Sequence, residues 1–183
     1  MSGPTSSGPA RRIWYSVAMS LDGYIAGPNG EADWIPEELE IDWGAFMDRF
    51  DTVLMGRRSY QAALTQPGGM FPKLATYVFS RTLRAEDHPG VTVIGEDIRQ
   101  AVERLRAAPG KDIWLFGGGA LFRTLLELGL VDLVEVGLVP ALLGRGIPFL
   151  PGLSSRSRLR LTDLRRYPSG IVLLTYDFTP DQA

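Results

Sequence analysis

The sequence contains no cysteine and a single histidine. The absence of cysteine excludes disulfide bonds, a thiol nucleophile and cysteine-ligated zinc in this chain of 183 residues. The histidine, His88, precedes Pro89 and Gly90, a context typical of an exposed loop, and we assign it no catalytic role. No cluster of metal-ligating residues is visible in the sequence. We therefore expect chemistry that requires neither a thiol nor a metal.

The sequence also has no excess of positive charge and no long hydrophobic run. Its 19 lysines and arginines against 21 aspartates and glutamates give a formal net charge of −2, which does not favour a nucleic-acid partner. No apolar stretch reaches the roughly 20 residues that span a bilayer. Residues 1–10 are mostly Gly, Pro, Ser and Thr and lack the apolar segment of a secretory signal. We expect a flexible tail over residues 1–10, no membrane partner and a cytoplasmic location.

Residues 11–183 have the composition and patterning of a single α/β domain. The chain is 45% hydrophobic and 22% charged, close to the average for globular proteins. Strand-like and helix-like segments alternate up to about residue 130, which predicts a mostly parallel sheet with helices on both faces. Further strand-like runs follow, and Pro168-Ser169-Gly170 separates the last two. This change predicts an antiparallel hairpin at the C-terminal end of the sheet.

Three consecutive glycines follow an apolar strand-like run and precede a helix-like run. Ile113–Phe116 leads into Gly117-Gly118-Gly119, and a pattern with one apolar side begins at Leu121. The first turn of a helix has unpaired N–H groups, and glycine lets a phosphate approach the backbone closely. The run predicts a pyrophosphate site, although a turn that needs glycine only for packing explains the same pattern. Its spacing and late position differ from those of the Rossmann glycine motif.

Two other predicted strand ends carry groups suited to phosphate. Gly56-Arg57-Arg58-Ser59 places two arginines and a hydroxyl at the start of a helix, and arginine is a natural partner of a phosphate dianion. Ser80-Arg81 ends another strand and suits a ribose 2′-phosphate, the group that separates NADPH from NADH. A solvated helix terminus and an ordinary strand end are the alternatives. Because carboxyl ends of parallel strands share one edge, the three features together predict a site for a phosphorylated dinucleotide.

These residues, in this order, resemble the dihydrofolate reductase superfamily. The nearer resemblance is to the branch that contains the reductase domain of riboflavin biosynthesis, the RibD C-terminal domain-like proteins. Four motifs carry it: Ser20–Ala26, Leu54–Tyr60, Phe116–Leu121 and Val139–Gly146. The resemblance implies a three-layer α/β/α fold around a mixed sheet, NADPH as the hydride donor, and a homodimer.

The resemblance also assigns residues to the cofactor. Gly56–Ser59 and Gly117–Leu121 are expected to hold its phosphates, and Ser80-Arg81 its 2′-phosphate. Backbone groups of Val17 and Ala18 are expected to meet the nicotinamide carboxamide. The predicted cofactor-binding residues are Val17, Ala18, Ile25, Gly56, Arg57, Arg58, Ser59, Ser80, Arg81, Phe116, Gly117, Gly118, Gly119, Ala120 and Leu121.

Two carboxylates are candidates for catalysis, and one tryptophan is a candidate for substrate binding. Dihydrofolate reductases place a carboxylate after the first loop, where it binds the pterin and assists protonation. The segment around Glu38 resembles that region with a one-residue gap, and an exposed acidic loop is the alternative. Asp22 either faces the substrate beside the nicotinamide or is an Asp-Gly turn residue that binds its own backbone. Trp34 is expected to form a flat apolar wall of the substrate pocket.

The sequence therefore favours an NADPH-dependent reductase that transfers a hydride to a small heterocycle. The resemblance points to 5-amino-6-(5-phosphoribosylamino)uracil reductase of riboflavin biosynthesis. The acidic, proline-containing segment of that enzyme is not visible over residues 61–69. Pterin reduction of the dihydrofolate reductase type is thus an alternative, and so is a nucleotide-binding regulatory module without turnover.

Overall fold

The computed structural model describes residues 10–38, 40–65 and 70–178. The predicted tail, apart from Ala10, lies outside the described residues. In chain order the elements are β1 (Ile13–Ser20), β2 (Tyr24–Ala26), α1 (Trp43–Met47), β3 (Phe50–Gly56), α2 (Arg57–Thr65), β4 (Ala75–Phe79), a 3-10 turn (Ala85–Asp87), β5 (Thr92–Ile94), α3 (Ile98–Ala107), β6 (Asp112–Gly117), α4 (Gly119–Glu127), β7 (Leu133–Val139), β8 (Ile147–Pro148), β9 (Leu159–Arg166) and β10 (Val172–Phe178).

One mixed sheet organises the fold. Its eight strands lie in the order β5-β4-β3-β6-β1-β7-β10-β9. The first six run parallel to one another, whereas β10 is antiparallel to both β7 and β9. The predicted α/β fold with a C-terminal antiparallel hairpin is confirmed. The parallel strands bring their carboxyl ends to one edge, which is where open α/β sheets bind ligands.

Each face of the sheet carries its own apolar core because successive strand residues point to opposite faces. On one face Ile13 and Tyr15 of β1 pack with Val102 of α3 and with Phe122 and Leu125 of α4. The other core is rich in aromatic residues from strands and helices alike. Its members include Trp14, Phe50, Trp114, Tyr60 and, at its margin, Phe46. The helices therefore lie in two layers, one on each side of the sheet.

A buried arginine joins the amino ends of the central strands. The Arg11 guanidinium forms an ion pair with Asp51 and donates to Thr52 Oγ1 at 2.7 Å. It also donates to the backbone carbonyls of Lys111 and Leu105. This network fixes the ends of β1, β3 and β6 opposite the ligand-binding edge.

Several local features differ from the sequence prediction. The two-residue strand β8 pairs antiparallel with β2, a contact that no local pattern indicated. His88, expected to be exposed, is half-buried, and its Nδ1 lies 3.2 Å from the Tyr60 hydroxyl. Within the described residues, no helix is both long and apolar enough to cross a membrane.

Candidate functional site

A large cleft follows the carboxyl ends of the parallel strands. Its volume is about 2000 Å³, roughly twice the upper range of pockets for one small molecule. The cleft is wide enough for a dinucleotide together with a second ligand. We distinguish its arginine end, lined by Gly56–Ser59, Ser80-Arg81 and Gly118–Leu121, from its glutamate end, lined by Ser16, Trp43, Phe46 and Glu135.

The glycine run forms the turn between β6 and α4. Gly117 has φ of 140°, a backbone conformation open chiefly to glycine, and its peptide bond to Gly118 is cis. Gly118 is the N-cap of α4, where no side chain caps the helix. A Cβ on Gly118 would lie 3.3 Å from Ser59 Oγ. The unpaired N–H groups of the first α4 turn thus face a region that side chains leave open.

Gly119 serves packing against the chain after β8. A Cβ at this position would lie 2.7 Å from the Phe149 carbonyl oxygen and 2.8 Å from that of Pro148. It would also lie 2.9 Å from Pro151 Cδ. Gly119 thus allows α4 to pack closely, whereas Gly118 borders the cleft, and the pyrophosphate site stays a prediction.

The arginine end carries positive charge that the protein itself does not neutralise. Arg57 and Arg58 are exposed at the start of α2, and Arg81 is exposed just after β4. Among the described residues, no carboxylate lies within ion-pair distance of any of these three guanidinium groups. Two helix N-termini, those of α2 and α4, meet at the same place. Guanidinium groups and helix N-termini are the usual protein partners of phosphate.

The hydroxyl of Ser80 already has partners in its own turn. Ser80 Oγ accepts hydrogen bonds from the backbone N–H groups of Thr82 at 3.2 Å and Leu83 at 3.1 Å. This turn directs the chain away from β4 and leaves Arg81 exposed at the cleft. Ser80 therefore shapes the loop that carries Arg81.

The glutamate end has a buried carboxylate on its floor. Glu135 of β7 lies directly across from Ser16 of β1, and its side chain is 6% exposed. Glu135 Oε1 accepts from Ser16 Oγ at 2.9 Å and from Arg49 Nη2 at 3.0 Å. Glu135 Oε2 accepts from Arg49 Nη1 and Thr175 Oγ1, both at 3.4 Å. All four acceptor positions of this carboxylate are thus occupied.

Asp22 lies outside the residues that line the cleft and holds a loop. Its carboxylate accepts from Ser20 Oγ at 2.6 Å and from the N–H groups of Leu143, at 3.1 Å, and Gly144, at 2.7 Å. The Ser20 hydroxyl, followed by the two backbone donors, lowers the pKa of Asp22. Asp22 therefore stays ionised and connects the turn after β1 to the loop after β7.

Glu38 lines the cleft and is fixed to the hairpin. Its carboxylate accepts from the N–H of Ser169, in the turn between β9 and β10, at 3.2 Å and from the N–H of Glu40 at 3.0 Å. Hydrogen bonding by the Ser169 side chain, followed by the Glu40 N–H, lowers the pKa of Glu38. Trp34, by contrast, does not line the cleft; its Nε1 donates to the Glu31 carbonyl at 3.1 Å, and its neighbours Ala32 and Ile35 face the cleft instead.

The structure brings nearly all of the predicted cofactor-binding residues to this one cleft. Every one except Gly117 lines it. The prediction missed the stretch Ile94–Ile98 between β5 and α3, although Gly95 after a short strand was an available signal. It also missed Glu135 of β7 and Trp114 of β6, which line the cleft as well.

Comparisons with known proteins agree on the fold and the family. Residues 11–173 match the family model of the RibD C-terminal domain. The uncharacterized protein YyaP of Bacillus subtilis (strain 168) is 35% identical over 182 residues, which covers 91% of this chain and 94% of YyaP.

Two solved structures show the same fold at low sequence identity. The first is the diaminohydroxyphosphoribosylaminopyrimidine deaminase/5-amino-6-(5-phosphoribosylamino)uracil reductase of Thermotoga maritima, with a TM-score of 0.70, 17% identity and coverage of 93% of this chain and 57% of that one. The second is a dihydrofolate reductase of Enterococcus faecalis complexed with NADP(H), with a TM-score of 0.64, 17% identity and coverage of 92% and 97%.

Proposed function

The chain belongs to the RibD C-terminal domain family, and we propose that it is an NADPH-dependent reductase acting on a small heterocyclic substrate. The observation that carries the proposal is the arginine end of the cleft. Three arginines without carboxylate partners among the described residues and two helix N-termini converge there. Family relatives that include a riboflavin-pathway reductase, and a fold shared with a dihydrofolate reductase complexed with NADP(H), support the same assignment.

The residues at the arginine end fit a phosphorylated dinucleotide. Gly118 has no Cβ to occupy the space beside Ser59, so a pyrophosphate group can approach the N-terminus of α4. Arg57 and Arg58 would neutralise its charge, and Arg81 would bind the 2′-phosphate. Val17, Ala18 and Ile25 line the cleft between its two ends, where they would orient the nicotinamide. When bound, the cofactor supplies the hydride.

The proton that completes the reduction is proposed to come from solvent. Reduction of a C=N or C=O bond requires one proton in addition to the hydride. Asp22 and Glu38 both have lowered pKa values because hydrogen-bond donors hold their carboxylates, so both are ionised near neutral pH. In this proposal Glu38 accepts a hydrogen bond from the substrate, and Asp22 positions the loop after β7.

The alternative of a binding module without turnover remains distinct and testable. It is favoured by the lack of a free carboxylic acid at the two predicted catalytic positions. Steady oxidation of NADPH, followed at 340 nm with pterins and pyrimidinones as acceptors, would exclude that alternative. The cytoplasmic location and the homodimer stay predictions. For the latter, β9 at the sheet edge exposes Leu159, Leu161 and Leu164.

Replacing Arg81 with alanine is expected to weaken NADPH binding by roughly tenfold to a hundredfold, because one charge-assisted hydrogen bond to the 2′-phosphate is lost. NADH has no such phosphate, so its affinity should be unchanged. Isothermal titration of both nucleotides checks the result. Arg84→Ala is the matched control, because Arg84 is exposed, does not line the cleft and pairs with Glu86. Equal losses for NADPH and NADH would remove the assignment of Arg81.

A further inference from the structure

Positive charge is confined to one end of the cleft. All 19 lysines and arginines of the chain lie within the described residues. Of these, Arg57, Arg58 and Arg81 line the cleft, and all three lie at the arginine end. Among the described residues, no lysine or arginine lines the glutamate end, where Glu135 supplies a carboxylate instead.

Arg49, which contacts the carboxylate of the glutamate end, is already neutralised. Arg49 forms a two-point contact with Glu135. Its guanidinium carbon lies 4.6 Å from the Trp14 ring centre and 4.7 Å from that of Phe46. Arg49 is not among the residues that line the cleft. Its charge and hydrogen-bond donors are therefore directed into the protein and away from a bound substrate.

The polar groups that remain at this end are hydrogen-bond acceptors. Ser16 Oγ donates its proton to Glu135, because an ionised carboxylate can only accept. The lone pairs of Ser16 Oγ are then free to accept from a group in the cleft. Such a surface suits a ligand that carries N–H donors.

The apolar walls of the glutamate end suit a flat ring. Phe46 and Trp114 pack edge to face with ring centres 5.1 Å apart. Trp43 packs edge to face on Phe46 and is 58% exposed beside the cleft. Ile171 and Leu173 complete the lining on the opposite side. Pockets lined by aromatic and aliphatic side chains with a few fixed polar groups bind planar heterocycles well.

From this arrangement we propose that the substrate is a planar heterocycle that presents an N–H donor to Ser16 and carries no phosphate group. The inference rests on the proposed function, since it assumes that the arginine end holds the dinucleotide. A substrate phosphate at the glutamate end would lie beside the Glu135 carboxylate, and no lysine or arginine among the lining residues there could bind it, which is electrostatically unfavourable. The substrate class thus differs from the phosphoribosyl compound named for the Thermotoga maritima relative.

The test compares two probes on the protein saturated with NADPH. We expect 2,4-diaminopyrimidine, a flat ring with amino groups, to bind at least about tenfold more tightly than ribose 5-phosphate in isothermal titration. Equal or tighter binding of ribose 5-phosphate would overturn the proposal. Binding of neither probe would overturn it as well, because the acceptors at the glutamate end would then not recognise such a ring. Failure to bind NADPH in the preceding titration would instead contradict the proposed function.

A serine variant tests the proposed contact. Ser16→Ala removes the acceptor and is expected to weaken 2,4-diaminopyrimidine binding by about fivefold to tenfold. Ser155→Ala is the matched control, because Ser155 is exposed and outside the cleft. The Ser155→Ala variant should bind 2,4-diaminopyrimidine as tightly as the unmodified protein does. If Ser16→Ala binds 2,4-diaminopyrimidine as tightly as the unmodified protein does, the ring does not donate a hydrogen bond to Ser16.

Discussion

Replacement of Gly119 by alanine is expected to lower the free energy of unfolding by about 3 kcal/mol, at the upper end of overpacking effects. The added Cβ would lie within 2.8 Å of two backbone carbonyl oxygens, those of Phe149 and Pro148. Backbone atoms cannot move aside as a flexible side chain can, so α4 or the segment after β8 must shift. Urea unfolding followed by circular dichroism measures the loss.

The neighbouring glycine provides the control for this prediction. In Gly118→Ala the new Cβ would meet Ser59 Oγ at 3.3 Å, and that side chain can rotate. We therefore expect a stability loss below about 1 kcal/mol for this variant, together with weaker NADPH binding because the Cβ enters the proposed phosphate site. Equal destabilisation of both variants would contradict the distinction drawn between packing at Gly119 and binding at Gly118.

Replacement of Arg49 by alanine is expected to cost about 3 kcal/mol of stability, because Glu135 would keep a buried charge without its cation. Ser16 and Thr175 would still donate to the carboxylate, and they limit the loss. Chemical denaturation of Arg49→Ala, Glu135→Leu and the double variant measures the coupling. The double variant should recover much of the loss, since the unpaired charge is then absent.

A surface pair serves as the comparison for Arg49. Arg165 contacts Asp163 at 3.0 Å, but both side chains are largely exposed, and such pairs contribute at most about 1 kcal/mol. Arg165→Ala should therefore change stability little. If Arg49→Ala lowers the free energy of unfolding as little as Arg165→Ala does, the ion pair between Arg49 and Glu135 does not stabilise the floor of the cleft.

The features that the sequence predicts best are those with a local physical cause. Gly117 has the positive φ that a glycine turn allows, and Gly170 closes the hairpin turn. The four motifs together also predicted the family correctly, since the RibD C-terminal domain model matches residues 11–173. The branch and the three-layer fold are thus confirmed.

The features that the sequence could not predict depend on contacts between distant segments. Glu135 lies in an apolar strand, and only the register of β7 against β1 places it beside Ser16. Asp22 binds backbone groups 121 and 122 residues further along the chain, at Leu143 and Gly144. The Asp22-Gly23 pattern in the sequence does not indicate a contact with either of these two residues. The assignment of Asp22, Glu38 and Trp34 to catalysis or substrate binding stays a prediction.

Thermal unfolding with each nucleotide tests the central proposal most directly. A ligand at a hundred times its dissociation constant stabilises the folded state by about 2.7 kcal/mol, which for a chain of this size raises Tm by roughly 5 to 10 °C. We predict such a rise with millimolar NADPH, a much smaller one with NADH, and loss of the difference in Arg81→Ala. Unchanged Tm with both nucleotides at millimolar concentration would contradict the account.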